Sequence, residues 1–88
     1  MKLRGEFVVR QVMDSIMAVP TGETALQLNG MLMLNTVSKV IWDQLVQGAQ
    51  LADLVTAVTD RFDVSAEEAE ADITVFLDKL RAAHLLDE

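Results

Sequence analysis

The chain has 88 residues, enough for one domain with one core and too few for an enzyme cleft between two lobes. Hydrophobic residues make up 51% of it, which excludes a disordered segment. Apolar runs such as Ile16–Val19 fall far short of the roughly 20 residues of a membrane span.

In chain order, Met1–Glu6 has basic residues with no apolar segment behind them and makes a poor signal peptide, so a cytoplasmic protein is expected. Phe7–Val12 is rich in β-formers, Met13-Asp14 suits a turn, and Ser15–Val19 follows as a second strand. Pro20–Glu23 closes that strand with turn chemistry, and Ala25–Leu28 reads equally as a short strand or a helical turn. Asn29-Gly30 is a strong turn signal, because both residues tolerate positive φ. Met31–Leu34 then gives a last short strand.

From residue 35 the period becomes helical. Asn35 or Thr36 caps a first predicted helix with apolar positions Val37, Val40, Ile41 and Leu45, and Gly48 ends it. A second helix carries Leu51, Leu54, Val55, Val58 and Phe62 on one face. Ser65-Ala66-Glu67-Glu68 has capping-box spacing and opens a third, with Ala69, Ile73, Phe76, Leu77 and Leu80 inward and fraying near His84–Leu86. Strands first and three helices after them predict an α+β domain spanning 1–88.

A sheet covered on one face should alternate apolar and polar residues. Ile16–Val19 and Met31–Leu34 are instead apolar at four consecutive positions, and only one helical layer is available to cover them. The surplus must lie under another part of the chain or meet a partner. Methionines suit surfaces that accept varied apolar partners. Met17 reads as core filling, and Met31 and Met33 read equally as core or as binding surface. Trp42 is placed to anchor helix–sheet packing.

Chemistry is poorly represented. There is no cysteine, hence no disulfide, thiolate metal site or cysteine nucleophile. The only histidine, His84, sits at a helix end, and no acidic cluster at metal spacing includes it. The glycines are isolated, so no phosphate-cradling loop forms. No catalytic residue, metal site or cofactor is expected. The net charge of −7 is uneven: residues 1–62 hold six acids and five bases, while residues 63–88 hold eight acids and two bases. Nucleic-acid affinity rests on basic residues near phosphates, so an acidic last helix argues against that partner. Asp14-Ser15-Ile16 is similar to the phosphopantetheine attachment sequence of small acidic carrier proteins. That serine opens a helix near mid-chain, whereas Ser15 opens a strand.

Leu34-Asn35-Thr36-Val37-Ser38-Lys39-Val40-Ile41-Trp42 resembles the leucine-asparagine start and isoleucine-tryptophan end found in PqqD-like proteins. The continuation is similar too, through Gly48, Leu54, Val58, Phe62-Asp63-Val64, Ala71-Asp72-Ile73, Phe76-Leu77, Leu80 and Leu85-Leu86. Val19-Pro20 and Leu28-Asn29-Gly30-Met31 extend the likeness into the strand region. Ser38 and His84 depart from it, both standing where glycine is usual. The resemblance implies a winged-helix-like domain, a three-stranded antiparallel sheet followed by three helices. It also implies a non-catalytic element that recognises the leader segment of a ribosomally made precursor peptide and presents it to a maturation enzyme, often a radical S-adenosylmethionine protein.

In that family the leader adds a strand to the sheet edge and lies against the third helix, a mode in which main-chain bonds set register and pockets set specificity. Carried onto this chain, the expected docking edge is Met31, Leu32, Met33 and Leu34. The expected helix stripe is Asp72, Val75, Lys79 and Ala82, spaced i, i+3, i+7 and i+10. Lys79 would face a leader carboxylate and Asp72 a leader base. Two alternatives share this fold: a winged-helix DNA-binding domain, and a dimerisation module whose apolar strand edge pairs with its own copy.

Overall fold

A computed structural model describes residues 1–28 and 30–88. In chain order the elements are β1 (Lys2–Leu3), β2 (Phe7–Val12), β3 (Ser15–Pro20), α1 (Gly22–Gln27), β4 (Leu32–Leu34), α2 (Thr36–Gln47), α3 (Leu51–Arg61), α4 (Ala66–Ala82) and β5 (Leu86–Asp87). Strands β2, β3 and β4 form the antiparallel three-stranded sheet, in that order. The three long helices follow it, as the α+β expectation required. The Asn29-Gly30 turn falls on Asn29, outside the described residues.

Two features depart from the sequence reading. The segment after Pro20 is a short helix, α1, rather than a turn followed by an undecided stretch. The chain ends are also ordered: β1 pairs antiparallel with β5, Lys2 opposite Asp87 and Leu3 opposite Leu86, where fraying was expected. The Arg4 amide donates to the Leu85 carbonyl at 2.7 Å, and the Ala49 amide to the Met1 carbonyl at 2.8 Å. Two-residue strands are too short to show a period of two, so nothing local announces them.

Arg81 closes this second sheet by donating two hydrogen bonds to Glu88, at 2.8 and 3.1 Å, and one to Asp78 at 3.0 Å. The hydrogen bond from Arg81 holds the Glu88 carboxyl below its ordinary range. A group with a lowered folded-state pKa contributes above its unfolded value, and the contribution is lost as pH falls through the folded value. Acidification below the usual carboxylate range is therefore expected to release β5 first. A rise in amide exchange at Leu86 relative to the α4 core on acidification would show it, and an unchanged ratio would contradict it.

Helix starts are fixed by side chains. The Asn35 Oδ1 accepts from the Ser38 amide and the Ser38 hydroxyl accepts from the Asn35 amide, both at 2.8 Å, a reciprocal box at the head of α2. Ser38, one of the two departures from the resemblance, thus has a structural use. At α4 only half of the predicted box forms, the Ser65 hydroxyl accepting from the Glu68 amide at 3.1 Å. Gly48 ends α2 with φ 93°, in the region that favours glycine.

His84, the other departure from that sequence type, follows the end of α4 with φ 60°. That is the left-handed conformation, which costs a non-glycine residue about 1–2 kcal/mol and favours glycine. His84 is exposed and lost packing is small. His84→Gly is expected to stabilise by about 0.5–1 kcal/mol, part of the relief being offset by glycine's unfolded-state freedom. This would raise the thermal midpoint by roughly 2–6 °C. A lower midpoint would mean that the imidazole makes a stabilising contact.

The core gathers Ile41, Trp42 and Leu45 from α2, Leu54 and Val58 from α3, and Ile73, Leu77 and Leu80 from α4, all at least nine-tenths buried. They pack against Ile16, Ala18 and Leu34 of the sheet. Trp42 sits at the centre, and the Phe7 ring meets its indole edge-on at 5.0 Å and 86°. Strand alternation turns the other face of the sheet outward. There Val8, Val12 and Met33 are exposed, and Met17 and Val19 are half-buried. Part of the apolar surplus in β3 and β4 is thus left at the surface.

Candidate peptide-binding groove

Which backbone groups of β4 are free follows from the register. A two-residue turn, Met13-Asp14, joins Val12 to Ser15, so this pair exchanges hydrogen bonds, and every second pair outward does likewise. The Thr21 amide donating to the Glu6 carbonyl at 3.0 Å continues that alternation. Met17 therefore spends its N–H and C=O on β2, while Ile16 and Ala18 turn theirs toward β4. There they meet Leu34 and Leu32. Met33, opposite Met17, points its N–H and C=O away from the sheet. The outer edge of β4 is open, with Met33 at its centre.

Beside that edge runs a groove of about 330 Å³ between β4 and α4, floored by α2. Leu32 and Met33 form one wall, and Asp72, Val75, Phe76, Lys79 and Leu80 the other. Asn35, Val37, Ser38 and Ile41 close the bottom. The groove is packed at depth: Ile41 of the floor and Leu80 of the α4 wall are almost fully buried, and Ser38 has both its polar partners within Asn35. The rim is open, with Met33 61% and Val75 59% exposed. The volume lies at about the lower end of the range for ligand pockets. It suits one or two side chains of an extended peptide better than a whole cofactor.

Five of the eight residues singled out from the sequence, Leu32, Met33, Asp72, Val75 and Lys79, line this one groove. The other three do not. Leu34 is 6% exposed and faces the core, because strand alternation puts it on the side of Ile16 and Ala18. Its side chain therefore cannot face a ligand. Met31 is exposed but precedes the strand, and Ala82 is exposed at the last residue of α4 without lining the groove. Val37 and Phe76 correct the sequence reading in the other direction. Val37 was read as an apolar helix position and Phe76 as facing inward; both pack against the core, half-buried, and also line the groove. A helical period shows which face turns inward but not where that face stops being covered.

The charges of the groove are sparse. Asp72 and Lys79 are its only ionisable lining residues among the described residues. Neither joins an ion pair among the described residues, where the pairs are Lys39–Asp43, Arg81–Asp78 and Arg81–Glu88. No group of three or more potential metal ligands occurs among the described residues, and no helix is long and apolar enough to cross a membrane.

Comparison with known proteins agrees with this architecture. The family described as coenzyme PQQ synthesis protein D (PqqD) matches residues 16–86. Among solved structures, TbiB1 in complex with the TbiA(beta) leader peptide superposes with a TM-score of 0.74 at 23% identity. The match covers 99% of this chain and 95% of that one. Lasso peptide synthetase B1 complexed with the leader peptide gives a TM-score of 0.70 at 23% identity, over 96% and 93% of the two chains. At that identity the likeness is one of fold. No curated protein gives a significant match.

Proposed function

The chain belongs to the PqqD family, and from that premise we propose that it is a non-catalytic domain that binds the leader segment of a ribosomally made precursor peptide. The leader adds an antiparallel or parallel strand to the open edge of β4 and lies in the groove against α4. The observation that carries this reading is the junction of two features at one place: unpaired backbone groups at Met33 and an apolar trough directly beside them. Backbone pairing is sequence-independent and sets register, while the trough chooses side chains. Both solved structures of the same fold hold a leader peptide, which supports the same reading.

The peptide so held is presented to a separate maturation enzyme, of the radical S-adenosylmethionine type or another peptide-modifying class, in the cytoplasm. Ordering a flexible leader costs about 2–5 kcal/mol, so main-chain bonds alone give weak binding and apolar anchors must supply the remainder. DNA binding is disfavoured by the charge of α4, whose exposed face carries Glu67, Glu68, Glu70, Asp72 and Asp78. Pairing between copies through the same edge would compete with the leader.

Affinity capture tests the proposal, with the tagged domain and a Met33→Pro form as parallel baits in cells that make the protein. A short precursor peptide recovered by the first bait and absent from the second is the expected result. Recovery of the domain's own copy alone would favour the dimerisation module, and a low-salt gel shift with duplex DNA would favour the nucleic-acid reading.

A further inference from the structure

Resting on the strand-addition reading, we infer that the groove selects a charge-x-apolar-x-charge segment of opposite end charges, its basic residue against Asp72 and its acidic residue against Lys79. Asp72 and Lys79 stand seven residues apart on α4, about 10 Å along the axis. Between them the helix presents Val75 and Phe76, with Leu32, Val37, Ile41 and Leu80 completing an apolar bed. An added strand turns alternate residues to the groove, at about 6.6 Å for two positions and 13 Å for four. Three successive groove-facing residues, i, i+2 and i+4, therefore span the helix stripe, and side-chain reach takes up the remaining few ångströms.

The middle residue meets only apolar surface, and a large aliphatic or aromatic side chain fits it. The outer two meet one acid and one base that have no ion-pair partner among the described residues. Opposite charges on the peptide satisfy both at once. In a strand of given direction, exchanging the two charges would place like charges together at both ends. Parallel and antiparallel pairing differ in bond pattern and stability, so one direction prevails and with it one charge order.

The test is selection from a displayed library of random twelve-residue peptides on the full 88-residue domain, on a charge-swapped form (Asp72→Lys with Lys79→Asp), and on Met33→Pro. Both swapped positions are exposed, and circular dichroism of each form checks folding. On the parent domain the enriched peptides are expected to share a base, a large apolar residue and an acid at alternate positions in one fixed order. On the swapped form that order reverses. Synthetic peptides of the two orders are expected to exchange preference by about tenfold, in keeping with two partly exposed ion pairs. Enriched peptides that need an intact Met33 edge but carry no charge pattern, or the same pattern on both forms, would overturn this inference and leave strand addition standing. Peptides equally enriched on Met33→Pro would overturn strand addition itself.

Discussion

Met33→Pro is expected to weaken leader binding by roughly 5- to 150-fold while the domain stays folded. Proline has no N–H, and at Met33 that N–H points out of the sheet. No bond to β3 is lost, and proline is tolerated at such edge positions. The leader carbonyl that would have accepted from Met33 is left unpaired instead, at a cost of about 1–3 kcal/mol, which converts to that range of affinities. Met33→Ala keeps the backbone donor and removes only an exposed side chain, so its effect should be smaller. Equal losses for the two substitutions would mean that the thioether rather than the strand edge carries the binding.

Trp42→Ala is expected to cost about 3–5 kcal/mol of folding stability. The indole is 2% exposed and anchors α2 against Phe7 of β2, so its removal leaves a large cavity. An 88-residue domain has only about 4–13 kcal/mol to lose, so the substitution removes a large share of the total. Urea denaturation followed by helical circular dichroism measures it. At a slope of about 1 kcal/mol per molar, the midpoint should fall by roughly 3–5 M. A loss below about 1 kcal/mol would show that the helices hold together without the sheet, and β4 would then need another source of rigidity.

Much of the fold was legible because its signals are local and repeated. The run of β-formers at Phe7–Val12, the caps at Asn35 and Ser65 and the glycine at Gly48 each place an element boundary from a few neighbouring residues. The β1–β5 pair was not legible, since it joins Lys2–Leu3 to Leu86–Asp87 across the whole chain and neither segment is long enough to carry a pattern. Helix α1 was hidden by Pro20 and Gly22, whose turn chemistry equally suits a helix start.

The site divides along the same line. Counting apolar residues against available layers located a surplus in β3 and β4; the family resemblance supplied the facing helix, on which helical spacing put Asp72, Val75 and Lys79 on one stripe. The face of each strand residue depends on pairing parity, so Leu34 was placed on the binding side although it faces the core. Val37 and Phe76 carry an inward helical phase, and only the gap between α4 and β4 turns them into groove lining. The exposure of Met33 is the surface expression of the surplus that the sequence showed as four apolar residues in a row.

The most direct test of strand addition is amide hydrogen exchange across residues 31–35, with and without the precursor peptide recovered by capture. Leu32 and Leu34 are already bonded to β3 and should change little. The Met33 amide, free in the isolated domain, should slow markedly when the leader pairs with it. Unchanged exchange at Met33 with new protection at Phe7, Val9 or Gln11, on the opposite edge of the sheet, would contradict the account and move the leader to β2.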